Sequence, residues 1–243
     1  VMIVNNEVGA ILDVQEISRA VKACHSDIIF HVDAIQAYGK MAITPKKWGI
    51  DLLSASGHKI HGPKGTGFLY IGDKVKIHPH IHGGGQQQGL RSGTENVPGI
   101  AGLGLAAEKM YADLEEHRKL LYDRKQYLLE RLGEMSGVTV NACLPPEIGQ
   151  TAPHIVSISI AGVRSEVLVH ALEDKGIYVS SGSACSSHHS GISGTLKAIG
   201  VDDSLLDSTI RVSFSFETTR EEIDYTIGQL KEIAPVLARY TRK

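Results

Sequence analysis

The sequence is poor in cysteine. Only Cys24, Cys143 and Cys185 occur in 243 residues, an odd number with wide spacing and no CxxC pair. That excludes a disulfide framework and argues against a zinc knuckle. Charge of one sign is also lacking: 25 Lys and Arg stand against 27 Asp and Glu, a net charge of −2. The electrostatic footprint of a nucleic-acid-binding or membrane-surface protein is therefore missing. The longest apolar stretch, Gly99 to Ala107, is too short and too Gly-rich to span a bilayer. No short period recurs, which excludes collagen, coiled-coil and low-complexity classes. No signal peptide is visible, and the sparse thiols predict a reducing, cytoplasmic setting.

What is present is an alternation of short apolar runs with amphipathic helical patterns, the signature of an α/β chain. Strands are predicted at Val1–Val4, Ile28–Val32, Leu52–Ser54 and Gly67–Ile71, with a helix over Asp13–Ala23. A long helix is predicted from Leu103 to Met135. Strands at Val138–Asn141, His154–Ile160, Ile177–Ser180 and Ile210–Phe216 follow, mixed with helices at Ser165–Lys175, Ser193–Ile199 and Arg220–Arg239. The pattern divides near Gly99–Leu103 into residues 1–102, strand-helix-strand with loops at the strand ends, and 103–243, a smaller α+β part. Val1–Val4 already reads as a buried strand, so the chain is expected to begin within a fold.

Several motifs carry little. Pro63 interrupts the would-be phosphate loop from Gly57 to Lys64. Gly102-x-Gly104-x-x-Ala107 follows no strand, so its small residues read as helix packing. His78, His80 and His82 alternate without Asp, Glu or Cys support and read as a loop row, so no metal site is expected. His188-His189 reads the same way, and Cys24 and Cys143 read as structural or incidental.

Three segments concentrate chemistry. Asp33 ends an apolar strand, where a carboxylate is costly without a positive partner or proton donor. At the carboxyl end of an α/β strand it could hold a protonated ring nitrogen. Lys59, in Ser56-Gly57-His58-Lys59, follows a strand and opens a Gly-rich loop, a place where a lysine can form a Schiff base with an aldehyde. Cys185 lies among small polar residues, Ser180-Ser181-Gly-Ser-Ala-Cys185, which predicts an exposed thiol. The Gly- and Ser-rich stretch after it predicts mobility on composition.

Taken together with Gln36, Gly83-Gly84-Gly85, the Leu90 to Asn96 block and Ile210-Arg211, these motifs resemble the cysteine desulfurases, in order and over nearly the whole chain. These are pyridoxal-phosphate (PLP) enzymes of the class V aminotransferase group, fold type I. The resemblance implies part of a PLP-binding large domain with a mostly parallel sheet, followed by a small α+β domain with the cysteine loop. Lys59 would carry PLP covalently and move the substrate Cα proton, and Asp33 would pair with the pyridinium nitrogen. Gln36 and Asn6 would bond the cofactor's phenolic oxygen, Asn6 also lying near the substrate carboxylate. Ser56 and His58 would contact the cofactor phosphate, with His58 counted among the catalytic residues. Thr94 would reach the phosphate of a neighbouring subunit, which implies a homodimer. Arg211 would clamp the carboxylate of L-cysteine, and Cys185 would take its sulfur as a persulfide, leaving alanine.

The stretch after Cys185 resembles the long-loop group that serves iron–sulfur and thio-cofactor synthesis, implying a scaffold or other sulfur-acceptor protein as partner. The family's large domain also includes a segment before Val1, with a phosphate cup and a stacking His. This chain therefore resembles a C-terminal portion lacking that segment. Two alternatives remain at this level. One is an inactive half serving as a dimerisation or scaffold-binding module. The other is a related class V enzyme, a selenocysteine lyase or an aminotransferase, against which the Cys185 block argues.

Overall fold

The computed structural model describes residues 1–141, 151–181 and 193–240. Contacts group them into two compact units. One comprises Val1–Val4 and Leu12–Glu115, the other Asn5–Ile11 and Glu116–Lys243.

In the first unit, Asp13 caps helix α1 (Val14–Cys24) by accepting from the Glu16 amide at 2.9 Å. Lys22 near its end pairs with Asp51 at 2.5 Å, and Asp51 also accepts from the Phe30 amide, tying α1 to the strands. Strands β1 (His31–Asp33), β2 (Leu52–Ser56) and β3 (Gly67–Ile71) form a sheet in that order. β1 and β2 are parallel and β3 is antiparallel to β2, with Met2 adding a parallel bridge to Asp33. The sheet is thus mixed. The expected strand over Ile28–Val32 starts later, at His31. Ile28 and Ile29 are 43% and 53% exposed and unpaired in the sheet, so the apolar run alone overstates the strand. Val1–Val4 joins through bridges and through the Asp33 amide donating to the Val1 carbonyl.

Helix α2 (Val97–Ala112) closes this unit. It packs on the turn after β2, where Leu103 lies close to Gly57, and on the turn after β1, where Met110 lies close to Gly39, whose amide donates to the Tyr111 hydroxyl at 3.2 Å. The expected helix from Leu103 to Met135 is in fact two. Asp113 leaves helical geometry (φ −123°, ψ 37°), and α3 (Leu114–Gly133) begins anew. The reason is a change of partner, because α2 packs in the first unit while α3 buries Leu121, Leu128 and Leu132 in the second. The division of compact units accordingly falls at Glu115–Glu116, beyond the expected boundary after residue 102.

The second unit holds β4 (Val138–Asn141), β5 (Ile155–Ile160), β6 (Ser180–Ser181) and β7 (Thr209–Ser213), ordered β4-β5-β7-β6 and antiparallel throughout. Helices α4 (Ser165–Glu173), α5 (Gly194–Ala198) and α6 (Arg220–Tyr240) complete it. β5 is buried along its whole length. Ile158, Leu168 and Ile210 reach 0% exposure, each such side chain worth about 1.5–3 kcal/mol of burial. Its polar members are satisfied: Asn141 donates to Ser157 and Ser159, and Ser159 bonds Thr209. Lys125 on α3 is 1% exposed and donates to the Thr151 hydroxyl and the Ala152 carbonyl. The Ala152 amide in turn donates to the Gly9 carbonyl, which stitches Asn5–Ile11 into this unit. Among the described residues no helix is long and apolar enough to cross a membrane.

Candidate active site

In the first unit the parallel register sets Asp33 opposite Ser54 and Val32 opposite Leu53. Successive strand residues face opposite sides, so Val32, Leu53 and Ala55 turn into the core while His31, Asp33, Ser54 and Ser56 share the other face. Asp33 stands at the carboxyl end of β1. Its Oδ1 accepts from the Ile35 amide at 2.8 Å, opening the turn that carries Gln36. Ala34 and Ala37, both 0% exposed, seat that turn, and Gln36 is half-buried within it. Next to this group, His31 Nε2 and Ser54 Oγ lie 2.7 Å apart. Neither stands out in the sequence, although His31 lies two residues before Asp33 and so has to share its face.

β2 runs into a 3-10 turn over Gly57–Ile60, closed by the Gly62 amide donating to the Gly57 carbonyl. Ile60 is 1% exposed and anchors the turn. Ser56 Oγ and His58 Nδ1 lie 2.7 Å apart, with His58 exposed and Lys59 half-buried. The turn ends on His61 in the left-handed region (φ 63°), uncommon for a non-glycine residue and typical of functional sites. Beneath it Gly39 has φ +74°, and a Cβ there would fall 2.7 Å from the Ile60 side chain, so only glycine lets the Gln36 turn approach the Lys59 turn this closely.

Lys40, the next residue, donates from Nζ to the Lys59 carbonyl at 2.7 Å. Burial and the neighbouring Lys59 cation push the Lys40 amine down to about 8. Among the described residues Lys59 makes no ion pair. Lys40 and Lys59 thus adjoin, and among the described residues neither forms an ion pair, beside a strand-end Asp and a Ser–His pair. That donor set fits an anionic aldehyde such as PLP: an amine to condense, hydroxyl and imidazole for a phosphate, and a carboxylate for a ring nitrogen.

Thr94 belongs to this unit and is exposed, just ahead of α2. His78, His80 and His82 are exposed beside the isolated bridge of Ile81 to Arg91.

In the second unit, Asn5 Oδ1 accepts from the Glu7 and Val8 amides and shapes a tight turn. Asn6 is half-buried on it, and its carbonyl accepts from Arg211 at 2.7 Å. Arg211, on β7, also donates to Ser180 at 3.1 Å and to Ser213 at 3.2 Å, so its guanidinium is held on three sides. The structure thus brings Asn6 and Arg211 together in one unit and Asp33, Gln36, Ser56, His58 and Lys59 on neighbouring strand ends of the other. Cys185 and Cys143 lie outside the described residues, as do His188 and His189. Cys24 is a free, exposed thiol at the end of α1.

Comparison with known proteins follows the same motifs. Residues 1–226 match the aminotransferase class-V family model. The cysteine desulfurase IscS of Vibrio vulnificus (strain YJ016) is 42% identical over 234 residues, covering 95% of this chain and 56% of the relative. That of Methanosarcina thermophila is 40% identical, over 98% of this chain and 57% of the relative. Among solved structures, a NifS-like protein superposes with a TM-score of 0.87 at 38% identity, over 97% of this chain and 60% of the other. A NifS-like protein from Rickettsia africae ESF-5 gives 0.85 at 30% identity, over 96% of this chain and 61% of the other. The chain spans about 56–61% of the length of these relatives. A family match over nearly every residue, on a fold that places the expected lysine turn and strand-end Asp on adjoining strands, means that the chain belongs to the class-V aminotransferase family.

Proposed function

We propose that this chain is the part of a PLP-dependent cysteine desulfurase that holds the cofactor lysine and the sulfur-accepting thiol. The observation that carries the reading is the Lys59 turn leaving β2 next to Asp33 on parallel β1, with Lys59 free of any ion pair among the described residues. Lys59 would bind PLP covalently, Asp33 the ring nitrogen, Gln36 and Asn6 the phenolic oxygen, and Ser56 and His58 the phosphate. When bound, PLP supplies an electron sink for negative charge developing at the substrate Cα.

The chain's own residues do the rest. Arg211 binds the carboxylate of L-cysteine, its planar fork suited to two oxygens and its orientation held by Asn6, Ser180 and Ser213. Lys59 Nζ takes the Cα proton as general base. The Cys185 thiolate attacks the substrate sulfur. An S–S bond forms as the Cβ–S bond breaks, the electron pair stays with carbon, and protonation there yields alanine. The enzyme thiol plus cysteine thus becomes enzyme persulfide plus alanine, with sulfur oxidised and carbon reduced.

The products imply a sulfur-acceptor protein, such as an iron–sulfur scaffold, and a reducing compartment such as the cytoplasm, where the acceptor thiol stays reduced. A homodimer is also part of the reading. Val97, Ile100 and Leu105 form a stripe along α2 that is 66%, 48% and 55% exposed, next to Thr94, which would reach the partner's phosphate.

The test is turnover of L-cysteine, with alanine and protein-bound persulfide measured together. Equal amounts in the first turnover are expected. Arg211→Gln should raise KM for cysteine by about ten- to a hundredfold, from loss of a charge-assisted pair, with less effect on kcat. Absence of alanine, or an unchanged KM in the variant, contradicts the assignment.

A further inference from the structure

Glu7 stands on the Asn5–Glu7 turn, and none of the roles above uses it. Its Oε2 accepts from the Ser193 hydroxyl at 2.5 Å and its Oε1 from the Thr195 hydroxyl at 2.9 Å. Ser193 also caps α5 through the Leu196 amide, and Leu196 is buried with Val8 and Leu206 in a small cluster beside the turn. One residue earlier, the Asn6 carbonyl accepts from Arg211, which holds Ser180 on β6. Ser180–Ser181 and Ser193 are the described residues on either side of residues 182–192, to which Cys185 belongs. One short turn, distant in sequence from both, therefore fastens both flanks.

We propose that Glu7 is a positioning residue for sulfur transfer, fixing the downstream flank of the Cys185 segment on the turn whose Asn6 carbonyl, through Arg211, fixes the upstream flank. This rests on the reading of Cys185 as the sulfur acceptor. The residue type fits the task. Both partners are hydroxyl donors, and a carboxylate offers an acceptor oxygen to each. A glutamine has one acceptor oxygen and no charge, so it loses the charge-assisted strength of both bonds. Fixing both ends of a segment restricts where a group between them can travel, which raises its effective concentration at a reacting atom.

The experiment compares the purified chain with Glu7→Gln, with Ser193→Ala/Thr195→Val and with the triple combination. Single-turnover alanine release from L-cysteine and amide hydrogen exchange over residues 193–199 are both followed. Glu7→Gln should slow alanine release about tenfold and speed exchange at Leu196 by a similar factor, through loss of the anchor. KM for cysteine and PLP absorption should stay at wild-type values, a split that general destabilisation would not produce. The triple variant should lose no more than Ser193→Ala/Thr195→Val, which removes the α5 cap as well as the contact to Glu7, because adding Glu7→Gln then removes nothing further. Wild-type rates with wild-type exchange in Glu7→Gln, or additive losses in the combination, overturn the proposal. A wild-type chain that releases no alanine overturns the desulfurase reading instead, and the exchange comparison then still decides whether Glu7 fastens the flank.

Discussion

Cys185→Ser is expected to bind PLP as the wild type does and to lose persulfide formation. Transfer requires a sulfur nucleophile, because the bond made is S–S, and only the thiolate attacks. A serine hydroxyl stays protonated at neutral pH and is a poor match for sulfur. The loss should be at least about a hundredfold in alanine release, with no persulfide on the protein at any time. Cys24→Ser provides the control. That thiol is exposed and free, yet it ends helix α1 in the first unit and has no place in the reading, so its removal should leave the rate unchanged. Persulfide surviving Cys185→Ser would assign the acceptor to another thiol.

The second large effect concerns Lys40. Its amine, buried against the Lys59 carbonyl and facing the Lys59 cation, is pushed from 10.5 to about 8. Because the folded value lies below the unfolded one, the fold disfavours the Lys40 cation. Below pH 8 both states are protonated and the full penalty applies. Between about 8 and 10.5 the folded chain sheds the proton while the unfolded chain keeps it, so stability rises with pH. The gain at the alkaline limit is of order 3 kcal/mol, since each pH unit between the folded and unfolded values is worth about 1.36 kcal/mol. Lys40→Met also removes the bond to the Lys59 carbonyl, an offset that does not depend on pH. Urea unfolding of both proteins without PLP at pH 7 and pH 10 separates the two effects. The wild type should gain most of that difference relative to Lys40→Met, and parallel pH profiles would show that Lys40 titrates normally.

Much of the candidate site was legible because its residues announce themselves locally. An apolar run that stops on Asp33 places a carboxylate at a strand end, and Ser56-Gly57-His58-Lys59 follows the next run at once. The register that puts Asp33 opposite Ser54 was not readable, since pairing depends on a partner strand. The same dependence explains Ile28 and Ile29, which carry strand-forming side chains yet have no ladder partner. The break at Asp113 was hidden because the charged helical pattern runs on through it, while the packing partner changes. Lys40 and Glu7 are silent in the sequence for a third reason. Each gains its meaning from a contact far along the chain, Lys40 at the Lys59 carbonyl and Glu7 at Ser193 and Thr195. No periodicity records such a pairing.

The desulfurase reading depends above all on Lys59 carrying PLP. Its most direct measurement is the absorption spectrum of the purified chain titrated with PLP, beside that of Lys59→Ala. A visible band is expected that saturates with PLP, survives removal of free cofactor and is lost in Lys59→Ala. A band of equal strength in Lys59→Ala would place the covalent link on another amine, such as that of Lys40, and would contradict the assignment of Lys59.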